Sequence, residues 1–286
     1  MTNILRLAYR VSRVRFWLYL GGTYLVGYII GISTVGQLID PFFIAHLIYF
    51  MIPANILLYG VNDLSDRDTD MFNPKKGDKE YKTKQQDLKK LYVLVGLSFL
   101  YGFLLMSFQS DITAVLLFAS WMVLSVLYSV EPIRLKAVPI LDFTSNFLYV
   151  IPALLAIYQT TRTIPPLIPV FAAFCWTAAM QLFSAVPDIE ADRKADVRST
   201  AVAIGKGASL FLCLIFWTLF AVILVFVHPW NYPWNLLTFV YPLIPVYLIL
   251  RRKADVSRVY WFFPYWNGIF GMVIFFTIGL PKLGIF

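Results

Sequence analysis

Polar and apolar positions along this chain separate into long blocks and do not alternate. Nine apolar runs stand out, at about 14–33, 41–61, 90–108, 112–130, 140–159, 164–186, 208–228, 234–250 and 260–280. Crossing the hydrocarbon core of a bilayer takes roughly 17–25 residues of helix, so each run is long enough to span. A transmembrane barrel would show a period of two, and these runs are continuous. Backbone groups in hydrocarbon must bond internally, which leaves helices. The pattern predicts an all-α, polytopic membrane protein of nine transmembrane helices forming one domain over residues 1–286.

Composition strengthens this picture. The 286 residues are 59% apolar and only 14% charged, with a mean hydropathy of +0.71. Soluble domains carry roughly 25% charged residues, and a soluble core could not hide so many Phe, Leu, Ile and Trp without large exposed patches.

Charge then gives orientation. Arg6, Arg10, Arg13 and Arg15 precede the first run. Arg67 and seven lysines from Lys75 to Lys90 follow the second, and Arg134 and Lys136 follow the fourth. Arg193, Lys194, Arg198 and Lys206 follow the sixth, and Arg251, Arg252, Lys253 and Arg258 the eighth. With nine passes, 22 of the 24 basic residues share one side, and only Arg162 and Lys282 lie opposite. The excess predicts a cytoplasmic amino terminus in the cell membrane, with the first run retained as a helix. The net charge of +8 is thus a topology signal with anionic lipids as partners, spread over five loops in a way that does not suit nucleic acid. Cys175 and Cys213 fall inside apolar runs and read as small core residues. His46 and His228 are isolated and suggest no ligand role.

Half of the sixteen acidic residues lie in two short windows, Asn62–Asp70 and Asp188–Asp196, directly after the second and sixth runs. At 100° per residue, Asp63, Asp66 and Asp70 fall within an arc of about 60°, and Asp188, Asp192 and Asp196 within about 80°. Asp68 and Glu190 point elsewhere. Like charges at helical spacing repel by roughly 0.2–0.5 kcal/mol per pair, and more near lipid. Such rows persist where something positive neutralises them. Mg²⁺ suits the role, because it binds through carboxylates, retains waters and accepts phosphate oxygens. A charge-rich loop alone could be a solvated connection, but two rows of one period on one side of the membrane point to a diphosphate cradle. A transporter's cation site is the alternative of another class, although such sites lie near the bilayer midplane.

These residues carry a resemblance. "NDLSDRDTD" resembles the NDxxDxxxD motif of the UbiA-type intramembrane prenyltransferases, and "DIEADRKADVRSTAVAIG" resembles their DxxxD motif. The likeness covers essentially the whole chain. It implies that Asn62, Asp63, Asp66 and Asp70, with Asp188 and Asp192, bind an isoprenoid diphosphate through Mg²⁺. Asp196, where many members have glycine, is a further candidate ligand that departs from the pattern. "YSVEPIRLKAVP" resembles the family's YS-P-RLK stretch. It implies diphosphate contacts from Tyr128, Ser129, Arg134 and Lys136. Arg67 and Arg193, within or beside the acidic rows, are further candidates, with pairing to their neighbouring carboxylates as the alternative. The spacing typical of CDP-alcohol phosphotransferases does not occur around Asp63 or Asp188.

The chemistry so implied is ionisation of an allylic diphosphate and capture of the carbocation by a lipophilic acceptor. Aromatic faces can stabilise that cation, and Trp17, Tyr19, Tyr24, Tyr149 and Phe183 are available. Within the superfamily, "SRVRFWLYLGG" and "YGVNDLSDRDTDMFNPKKGDKE" are most similar to the lycopene elongase branch, which adds C5 units to carotenoid ends. A dimethylallyl donor and a lycopene-type acceptor follow as expectations, with an aromatic quinone precursor as the alternative acceptor.

Overall fold

The apolar runs build helices whose breaks are as informative as their lengths. A computed structural model describes residues 3–66, 81–227, 233–251 and 253–284. Fourteen α-helices are described: α1 Ile4–Val11, α2 Thr23–Gly31, α3 Pro41–Met51, α4 Pro53–Ser65, α5 Leu88–Ser107, α6 Ile112–Leu127, α7 Leu141–Thr144, α8 Ile151–Thr161, α9 Leu167–Ala185, α10 Ile189–Lys194, α11 Thr200–Val227, α12 Val240–Leu250, α13 Val256–Ile274 and α14 Leu280–Lys282. Shorter 3₁₀ and π turns link several of them, and no strand occurs among the described residues.

Taken with those turns, six helical stretches are long and apolar enough to cross a membrane: Pro41–Ser65, Gln85–Ser107, Leu141–Thr161, Leu167–Lys194, Thr200–Val227 and Val256–Gly279. Two shorter apolar stretches are Ile112–Leu127 and Trp234–Leu250. The first apolar run is more broken than the sequence suggests. It passes through a 3₁₀ turn at Val14–Phe16 and a π turn at Leu18–Gly22 before α2.

Contacts divide the chain into two compact units. The first comprises Met1–Arg134 and Ile151–Thr163, and the second Leu135–Val150 and Ile164–Phe286.

In the first unit α2 packs on α8 and α4 on α5. Gly27 permits the former. A Cβ there would lie 2.3 Å from the carbonyl oxygen of Ala153, so only glycine lets the backbones meet. Between α3 and α4 the chain bends at Ile52, because Pro53 has no N–H to continue the ladder. Asn55 repairs the break by donating its amide to the carbonyls of Phe50 and Met51, both at 2.9 Å. Tyr24 stacks on Phe43, His46 and Phe50. A hydrogen-bonded thread runs from the Tyr24 hydroxyl to Gln159 (2.8 Å), from Gln159 to Gln109 (3.0 Å) and from Gln109 to His46 Nε2 (2.8 Å). Because the Gln109 amide donates, His46 accepts at Nε2 and donates from Nδ1 to the Phe42 carbonyl at 2.8 Å. His46, isolated along the sequence, is thus fully engaged; His228 lies outside the described residues.

In the second unit α9 packs along α11, which continues against α12. Phe183, Trp217, Tyr241 and Phe263 interlock at ring separations of 5.2–5.8 Å. Cys175 and Cys213 are free and buried. α11 is interrupted at Gly205, whose φ of +79° is a conformation that glycine adopts without penalty.

Candidate functional site

The first acidic stretch stands at the carboxyl-terminal end of α4, where unpaired carbonyls already make the helix negative. Asp63 occupies its last turn and is 1% exposed, while Asp66 caps the helix and is buried as well. Two carboxylates at that pole are costly unless cations meet them, and arginines do. Arg13 Nη2 lies 2.8 Å from Asp63 Oδ1, and the guanidinium sits 4.6 Å from the centre of the Tyr59 ring. Arg134 Nη2 lies 3.1 Å from Asp66 Oδ1, and its Nη1 also reaches Glu131 at 3.4 Å. Both arginines have positive φ, +49° and +39°, in tight turns that end or begin an element.

Of the residues expected to touch diphosphate, Arg134 therefore meets the first acidic stretch directly. Tyr128 and Ser129 lie just beyond the end of α6, on the approach to the Arg134 turn. Ser129 is fully buried, and its hydroxyl finds no hydrogen-bond partner among the described residues. Asn62 precedes Asp63 and is half-buried. Arg67 and Asp70 lie outside the described residues, as does Asp68.

Tyr81 is pinned beside the end of α4. The Tyr81 hydroxyl donates to Asp87 Oδ2 at 2.5 Å, and burial together with this bond pushes the Tyr81 pKa up to about 12. Tyr81 packs with Leu64 around a buried cluster of Leu7, Val11 and Leu91, which seats α1 beside the end of α4.

The second stretch is built differently, and one expectation is corrected. Asp188, Asp192 and Asp196 do not share one helix. Pro187 ends the α-helical ladder, so α9 stops at Ala185, a 3₁₀ turn holds Val186–Asp188, and Asp188 begins α10. Asp188 and Asp192 lie at the amino-terminal end of α10, where the helix dipole favours negative charge. Asp196 lies beyond the helix with φ +51° and a side chain 91% exposed, 3.9 Å from Arg198. A left-handed backbone explains why glycine would suit this position and why aspartate is tolerated there. Arg193 is exposed and pairs with Glu190 at 3.1 Å. Lys136 is half-buried in the 3₁₀ turn Leu135–Ala137.

The two stretches belong to different units. Among the described residues no three acidic, His or Cys side chains gather into a ready-made metal site. The donors nonetheless fit a hard divalent cation: they are carboxylate oxygens, and two of them stand at a helix pole that demands positive charge. Of the candidate aromatics, Tyr19 belongs to a group with Phe16 and Tyr59 beside the Arg13–Asp63 pair. Tyr24 and Phe183 sit in the aromatic clusters of the first and second units, and Trp17 and Tyr149 are buried to differing degrees. Arg13 is the participant that the sequence hid; among four arginines before the first run nothing local singles it out.

The chain matches the UbiA prenyltransferase family over residues 16–269 and belongs to that family. It is an integral membrane prenyltransferase, most like the lycopene elongase branch. It is 40% identical over 274 residues to the lycopene elongase/hydratase of Halobacterium salinarum, with 96% of each chain covered. With that of Haloferax volcanii it shares 39% over 269 residues, covering 94% of this chain and 86% of the relative. A UbiA homolog from Archaeoglobus fulgidus, solved bound to DMAPP and Mg²⁺, superposes with a TM-score of 0.71 at 20% identity, covering 94% of this chain and 98% of that one. That likeness bears on the fold.

Proposed function

We propose that this protein transfers a dimethylallyl group from its diphosphate to the end of a lycopene-type carotenoid, with Mg²⁺ as cofactor, at the cytoplasmic face of the cell membrane. Nine passes with the amino terminus inside, forming one catalytic domain over residues 1–286, complete the proposal. The observation that carries it is the pair of carboxylates, Asp63 and Asp66, at the negative pole of α4, each already answered by a cation. The names of the relatives support the acceptor.

In this reading Asn62, Asp63, Asp66, Asp70, Asp188, Asp192 and Asp196 supply oxygen donors for Mg²⁺. When bound, the metal supplies positive charge that stabilises the departing diphosphate. The chain's own residues do the rest. Arg134 has Asp66 as an exchangeable partner and turns its fork to phosphate oxygens, joined by Arg67, Tyr128, Ser129, Lys136 and Arg193. The allylic C–O bond breaks with its electron pair leaving on the diphosphate. Apolar helices exclude water from the resulting cation, and aromatic faces such as Tyr19 attract it. The terminal double bond of the acceptor supplies the electrons of the new C–C bond. The tertiary cation so formed loses a proton to give an alkene, or takes up water and then loses a proton to give an alcohol.

The test is direct. Membranes containing the protein release diphosphate from dimethylallyl diphosphate only with Mg²⁺, and a lycopene-producing host carrying the gene accumulates C45 and C50 carotenoids. Prenylated aromatic rings with unchanged carotenoids would reassign the acceptor. No release from any allylic diphosphate would favour a transporter.

A further inference from the structure

Asp142 is an acid inside the apolar run 140–159, 1% exposed, and the chemistry above does not use it. Burying a carboxylate is costly unless donors surround it. Here Oδ2 accepts the backbone N–H of Thr200 at 2.7 Å, while Oδ1 accepts the Thr200 hydroxyl at 2.5 Å and the N–H of Phe143 at 2.9 Å. Thr200 opens the short turn of α11 that precedes the break at Gly205, so the carboxylate also satisfies a free N–H at the start of that turn.

The bonds continue in two directions. Thr200 Oγ1 accepts the N–H of Ile140 at 2.7 Å. Ile140 has φ +72° and ψ −47°, a conformation that a β-branched residue avoids. Strain of this kind persists only where the surroundings over-determine it. The Thr200 bond and the Asp142 N–H to the Val138 carbonyl (3.0 Å) hold both sides of the turn. Just upstream, the same loop carries Lys136. In the other direction, Ser199 Oγ lies 3.5 Å from Asp192 Oδ2 and accepts the N–H of Val202 at 3.4 Å. Hydrogen bonds on either side of the Ser199–Thr200 peptide link thus tie Asp192 to Ser199, and Thr200 to Asp142 and the strained turn, all within the second unit.

We propose that Asp142 and Thr200 are positioning residues for the transfer reaction. They fix the loop bearing Lys136 relative to the segment that follows Asp192, so that cation and carboxylate present themselves to the diphosphate as one preset group. The inference rests on the assignment of Lys136 and Asp192 to the diphosphate site.

The full-length protein in native membranes tests it. Thr200→Val and Asp142→Asn are expected to raise both the donor KM and the Mg²⁺ concentration for half-maximal rate by about 10- to 100-fold, whereas Thr200→Ser, which keeps the hydroxyl, shifts neither by more than about threefold. A tie that is structural alone would lower the melting temperature and leave both parameters of the surviving protein unchanged, which overturns the inference. Hydrogen exchange of the wild-type chain decides independently of any variant. Inorganic diphosphate with Mg²⁺ is expected to slow exchange over 136–142 and 199–203 together, and slowing confined to 188–196 overturns the proposal. Lys136→Ala and Asp192→Ala run alongside. If both keep the wild-type donor KM, the site assignment fails and the inference with it. If both lose it while Thr200→Val does not, the positioning role alone fails.

Discussion

Asp66 and Asp188 differ in what surrounds them, one at the negative pole of a helix and ion-paired, the other at a positive pole. Both are assigned to the metal, so Asp66→Ala and Asp188→Ala should each lower turnover by about a hundredfold or more with membrane insertion intact. Retained activity in either variant would remove the cradle. Glu190, exposed and paired with Arg193, serves as the control: Glu190→Ala should stay within about fivefold of the wild-type rate. Arg13 makes a sharper case. Its removal leaves the charge of Asp63 buried without its 2.8 Å partner, at a cost of about 3–5 kcal/mol. Arg13→Ala should lower the melting temperature, and adding Asp63→Asn should restore most of the loss; simple additivity of the two substitutions would argue against a coupled pair. Sequence alone reveals Asp63 and Asp66 through their spacing. It is silent on Arg13, because a contact across fifty residues leaves no local trace.

At the level of elements, apolar runs forecast helix because lipid demands it: eight of the nine fall on the apolar helical stretches, six of these long enough to cross, while the first breaks into a 3₁₀ and a π turn before α2. The ends are less legible. Extrapolating a helix through Asp196 overlooks Pro187, a visible signal that the ladder stops. The start of α11 at Thr200, eight residues ahead of the predicted run, depends on the Asp142 carboxylate from a different element. An acid within an apolar run is a readable sign that donors must meet it, and Thr200 and the Phe143 N–H do. The α2–α8 contact provides a test. Gly27→Leu forces a side chain into Ala153 and should destabilise the fold by about 1–3 kcal/mol or more, measured as a lower melting temperature in detergent. A wild-type melting curve would mean that the two helices do not approach so closely.

For the whole molecule, the proposed topology makes a labelling prediction. Cys175 and Cys213 are fully buried, so a membrane-impermeant maleimide should find little background on the intact chain. A cysteine introduced at Lys253 should label only from the cytoplasmic side and one at Thr163 only from outside. Labelling of both from one side would discard the nine-pass arrangement.

The arginine pairs at the end of α4 carry a practical consequence. With Asp63 and Asp66 already ion-paired, the first acidic stretch has no structural need of the metal proposed for it. Stripping divalent ions with a chelator should silence catalysis yet leave the melting curve almost where it was, and restoring them should revive the preparation without refolding. On that proposal, a preparation kept bare should hold its fold and be switched on by adding the ion.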